Sequence, residues 1–153
     1  MRPCVWLHDA AISPEDVALR THPDAVVVFV LDAPALQQEP WAFHRLSFMY
    51  EGIVAVYSAI PHVTKEVRVG DTLSEILTCC VENGCDTIAV TDHPDPLKRF
   101  IIERLQLSMT VQIYPRDQLV EYDAEPKRFS PYWNKVQKKI LGNPSNRKRK
   151  YHQ

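Results

Sequence analysis

Two histidines and three aspartates stand where chemistry could be done. His8 and Asp9, Asp32, and Asp92 with His93 each follow directly on an apolar run. Carboxylates brought together in that way are hard oxygen ligands suited to Mg2+, as in phosphoryl transfer or hydrolysis. A histidine pair can serve as general acid and base. An acid after an apolar run also caps a helix or closes a turn, and nothing near His8 or His93 reads as a nucleophile with an oriented partner. An Mg2+-dependent nucleotide-processing enzyme is therefore the weaker alternative, and hydrogen-bonding contacts to a ligand are the expected role of these residues. Cys79, Cys80 and Cys85 are close in sequence, but Cys79 and Cys80 lie in an apolar helical pattern and Cys85 opens an apolar run. They read as buried thiols, not a zinc site or disulfides.

The glycines narrow the choice further. Only four occur, and none forms a G-x-G-x-x-G turn or a phosphate-cradling P-loop, which argues against dinucleotide enzymes and nucleoside triphosphatases.

Elements that position these residues can be read from periodicity. Residues 3–7 form a short apolar run, and Ser13-Pro14-Glu15-Asp16 has the serine, proline and acids of a helix start. Residues 25–31 are continuously apolar and β-branched, as in a strand covered on both faces. From Trp41 to Ile60, Phe43, Leu46, Met49, Tyr50, Ile53, Val54 and Tyr57 recur at helical steps. Lys65 to Val69 is a third strand. Thr72 is expected to cap a helix whose inner face holds Leu73, Ile76, Leu77 and Cys80. Strands over 85–90 and 110–114 flank a helix from Pro96 to Leu107. Five strands alternating with helices imply parallel pairing, because parallel neighbours need crossover connections. The expected fold is an α/β, Rossmann-like, three-layer open sheet of five parallel strands in the order 3-2-1-4-5, plus a C-terminal helix. Ligands of such sheets bind beyond the carboxyl ends of the strands, where strand order reverses. His8, Asp9, Asp32, Thr91, Asp92 and His93 are the candidate binding residues there.

Composition sets the outer limits. Of 153 residues, 45% are hydrophobic and 24% charged, with 18 basic and 19 acidic side chains giving a net charge of −1. That is one ordinary domain, expected over residues 1–141, with no general field for nucleic acid or acidic lipid. No apolar run is long enough to cross a bilayer, and residues 1–4 lead into a strand and do not read as a secretory signal, so a cytoplasmic location is expected. Residues 142–153 combine chain breakers with Arg147, Lys148, Arg149 and Lys150. They read as a basic, disordered tail, the one place where nucleic acid or another acidic surface could be held.

Several segments are similar to the amino-terminal, antenna-type domain of the photolyase and cryptochrome family. They are Val5-Trp6-Leu7, Val28-Phe29-Val30-Leu31-Asp32, Arg45-Leu46-Ser47-Phe48-Met49-Tyr50-Glu51-Gly52-Ile53, Gly70-Asp71-Thr72 and Phe129-Ser130-Pro131-Tyr132-Trp133-Asn134-Lys135. The resemblance covers residues 3–141 and implies the α/β domain without the helical, flavin-binding domain that carries the family's chemistry. What it implies is a non-catalytic accessory or protein-interaction module, with no enzyme activity of its own. Its partner would be a protein, such as a separate flavin-binding subunit, met through Phe129, Tyr132, Trp133 and Lys135. The alternative is a module for an antenna chromophore or nucleotide, with folate, deazaflavin or flavin held by the six crevice residues. Where the family carries two arginines and an aspartate after the first strand, this chain has Leu7-His8-Asp9-Ala10, which favours the interaction reading.

Overall fold

The computed structural model describes residues 1–117 and 129–141. Two compact units divide the chain, Met1–Arg116 and Asp117–Gln153. In the first unit the order is β1 (Pro3–Trp6), α1 (Val17–Thr21), β2 (Val26–Asp32), α2 (Ala33–Gln38), α3 (Phe43–Ala59), β3 (Lys65–Gly70), α4 (Thr72–Asn83), β4 (Thr87–Thr91), α5 (Pro96–Gln106) and β5 (Thr110–Tyr114). In the second unit the backbone over Phe129–Leu141 is helical, α6. The five strands form one parallel sheet in the order β3-β2-β1-β4-β5, as the periodicity predicts.

Both faces of the sheet are covered, which is why β1, β2 and β4 are apolar without alternation. On one face Cys4, Val26, Val28, Ile88 and Val90 meet Ile76, Cys79 and Cys80 of α4 and Ile101, Ile102 and Leu105 of α5. On the other Val5, Val27, Phe29 and Ala89 meet Ala18 and Leu19 of α1 and Met49, Ile53 and Val56 of α3. All four cysteines are free and buried. Truncating a fully enclosed residue such as Ile76 to alanine would cost about 2–5 kcal/mol, the transfer term plus the cavity left behind.

Three local details differ from the sequence expectation, each for a physical reason. The helix expected at Ser13 starts later, with Asp16 as its cap. The Asp16 carboxylate accepts from the Leu19 amide at 3.1 Å, and the Thr91 hydroxyl accepts from the Ala18 amide at 3.1 Å, so two acceptors converge on that turn. Ser13 instead closes a turn by accepting from the Glu15 amide. Asp71, not Thr72, caps α4, accepting from the Ser74 amide at 3.0 Å, while Thr72 turns its hydroxyl to Asp32. The far end of α4 closes at Gly84, whose φ of +64° is open to glycine at little cost. Finally, α3 buries a narrower stripe than its composition suggests, leaving Phe43 85% and Phe48 80% exposed with Tyr50 and Val54. Among the described residues no helix is long and apolar enough to cross a membrane.

Candidate functional site

The sheet reverses its order at β1, which has β2 on one side and β4 on the other. Beyond the carboxyl ends of β1 and β2 and the start of α5 lies a crevice of about 430 Å³. That is within the range for a small organic ligand. Its floor is apolar, with Val30, Leu31, Met49 and Ile101; Trp6 and Trp41 add indole surface.

His8 is the best-defined polar group of the crevice. It is only 3% exposed, and its Nε2 lies 2.8 Å from the Thr91 carbonyl oxygen. A carbonyl can only accept, so Nε2 carries the proton and Nδ1 is left as a bare acceptor. That Nδ1 is buried and has no hydrogen-bond partner among the described residues. Burial outweighs the Thr91 hydrogen bond and holds the imidazole pKa below its ordinary 6.5, so the ring is neutral at pH 7. Trp6 and His93 stand edge-on to it, with centroids at 5.5 Å and 5.9 Å.

The cations of the crevice are both held. Lys98, 9% exposed, donates to Asp9 at 2.8 Å and Asp95 at 3.0 Å. Burial alone would lower its pKa, but the two carboxylates outweigh it and raise the value above 10.5. In return the Lys98 bond, with the Leu97 amide, holds the Asp95 carboxyl below its usual range. The Arg45 guanidinium carbon lies 3.7 Å from the centroid of the Trp41 ring, a cation–π contact. Asp32 accepts from the Thr72 hydroxyl at 2.7 Å and caps α2 through the Ala35 amide at 3.0 Å.

Of the six crevice residues expected from sequence, the structure brings His8, Asp9 and Asp32 to the crevice wall. The other three do not line it. Thr91 pins α1 and holds His8, Asp92 accepts from the His93 amide at 2.9 Å, and His93 accepts from the Asp95 amide at 3.1 Å. The three aspartates do not converge on an ion, since Asp9 pairs with Lys98 and Asp32 and Asp92 cap backbone. Among the described residues no group of three or more His, Cys, Asp or Glu is arranged to hold a metal. Sequence reasoning missed Trp6, Trp41, Arg45 and Lys98 as crevice residues. The spacing Asp95-x-x-Lys98 at a helix start was the available signal, since it places both on one face of a first turn. Of the expected partner surface, Phe129, Tyr132 and Lys135 lie on α6, and Trp133 is half-buried. Residues 147–150 lie outside the described residues.

No family model and no curated protein matches this chain. Solved structures do. Hypothetical protein MJ0577, whose structure was used to assign its biochemical function, superposes with a TM-score of 0.53 at 13% identity, covering 77% of this chain and 99% of its own. Hypothetical protein PH0823 gives 0.50 at 14% identity, covering 78% and 99%. These are not photolyase or cryptochrome antenna domains, so the family resemblance is corrected. The accessory or antenna-chromophore module on a photolyase-type scaffold is corrected with it. The reason is physical: an apolar strand ending in an acid, a Gly-Asp turn and an amphipathic helix are compatible with any open parallel sheet, so their order does not single out one family. At these identities the likeness shows the fold, an open parallel α/β sheet of order 3-2-1-4-5.

Proposed function

We propose that this chain is a binding domain for a small, ring-bearing organic molecule, held in the crevice at the strand-order reversal. The observation that carries this reading is His8, a buried residue of the crevice lining whose Nδ1 acceptor has no partner among the described residues. A buried polar atom left without a partner costs about 1–3 kcal/mol, a cost relieved by a ligand N–H or O–H. The indole surfaces of Trp6 and Trp41 supply flat apolar area for a ring.

Binding is favoured over turnover by the state of the two candidate reactive groups. His8 is neutral but commits its only proton to a carbonyl, and Lys98 is kept as an ammonium by two carboxylates, which removes its nucleophilic lone pair. The full chain, incubated with a small-metabolite extract, should retain a low-mass adduct in native mass spectrometry. The Trp6 and Trp41 indole N–H resonances should shift together, and His8→Leu should lose both signals. A wild-type protein showing neither adduct nor shift sinks the reading.

A further inference from the structure

Resting on that crevice reading, we infer that the preferred ligand carries a positive charge: an organic ammonium joined to a flat ring, and not a phosphorylated or carboxylated compound. The lining holds four carboxylates, Asp9, Asp32, Glu39 and Asp95, against two cations, Arg45 and Lys98. Its field is therefore negative, and low-dielectric walls strengthen such a field inside a cleft.

Hydrogen-bonding capacity points the same way. The buried donors of His8 and Lys98 are largely used: His8 gives its proton to Thr91, and Lys98 spends two of its three on Asp9 and Asp95. The exposed Arg45 lays its guanidinium face over Trp41, a contact that uses none of its N–H donors. Acceptors remain, on His8 Nδ1 and on the lone pairs of carboxylates that use only part of their capacity. A ligand suited to this wall brings donors, and an ammonium brings three. An anion would meet excess negative charge, with the exposed Arg45 as its main source of free donors and without a glycine-rich amide cradle. Arg45 over Trp41 also shows that this aromatic wall accepts a cation at van der Waals distance.

Three indoles of one size and different charge provide the test: tryptamine (cationic), tryptophol (neutral) and indole-3-acetate (anionic). Each is titrated into the full chain while the Trp6 and Trp41 indole resonances are followed. Affinity should fall in that order, by about threefold to tenfold per step, and tryptamine binding should weaken several-fold between about 20 mM and about 300 mM salt. Asp9→Asn should weaken tryptamine about tenfold, and the more exposed Glu39→Gln about twofold, with the preference for tryptamine over tryptophol shrinking in both. Glu39→Gln keeps the test decisive if Asp9→Asn fails to fold. Equal affinities, or indole-3-acetate binding best, overturns the charge inference while leaving the crevice as a binding site. No shift with any of the three, nor with a metabolite extract, overturns both.

Discussion

Arg68 and Lys98 are both cations outnumbered by carboxylates, yet their surroundings close in different ways. Arg68, on the edge strand β3, reaches Glu66 at 2.6 Å and Glu75 at 3.4 Å, and also bonds Glu82. The Asn83 amide donates to the second Glu66 oxygen at 2.9 Å, so strand and α4 are laced together. A guanidinium suits this because its planar fork serves several carboxylates at once. Lys98 is a point charge between Asp9 and Asp95, beside open volume. Surplus negative charge inside a closed network fastens two elements, whereas the same surplus beside a crevice is left for something to enter.

Breaking the closed network should have the largest effect on stability. Arg68→Met leaves Glu66, Glu75 and Glu82 facing one another and should cost about 2 kcal/mol in urea unfolding, between the values for exposed and buried ion pairs. Tryptamine binding should not change. A loss under about 0.5 kcal/mol would mean that the network fastens nothing. Lys98→Met should cost about 1 kcal/mol, because Asp9 and Asp95 still meet solvent, and it should tighten tryptamine binding about threefold in the same NMR titration.

Acid separates the two regions by a smaller margin. The folded pKa of His8 lies below 6.5, so the unfolded chain takes up that proton first; the His8 contribution is complete above pH 6.5 and is lost as pH falls from there through the folded value. Glu66 lies below 4.5, owing first to the Asn83 hydrogen bond and then to Arg68, and Asp95 below 3.8, owing first to Lys98. Their contributions are complete above those values and are lost as pH falls through the folded ones. Stability measured by urea unfolding should therefore decline in two steps, near-neutral and acidic, and His8→Leu should erase only the first. The smallest stability effect belongs to Glu39→Gln, under about 0.5 kcal/mol, because the side chain is exposed.

The sheet was legible in the chain because β-branched runs without alternation have one solution, burial on both faces between helices. Strand order and the crevice position follow from that arrangement. Helix starts were less legible wherever two capping residues compete: Asp16 prevails over Ser13 because Thr91, 73 residues from Ala18, supplies a second acceptor for the same turn. For the same reason the crevice wall was half visible. His8, Asp9 and Asp32 lie at or just past strand ends, whereas Trp41 and Arg45 reach it from just before and within the first turn of α3, by a route no local pattern encodes. Short motifs misled on ancestry, since many chains of this fold class can carry them.

The buried cysteines on the α4 face provide a further handle. Cys4, Cys79 and Cys80 are fully enclosed, so an alkylating reagent reaches them only when the sheet and α4 part company. Labelling rates at these three sulfurs therefore time the opening of that layer. Ligands that enter from the strand ends should slow the clock only as far as they hold the two layers closed.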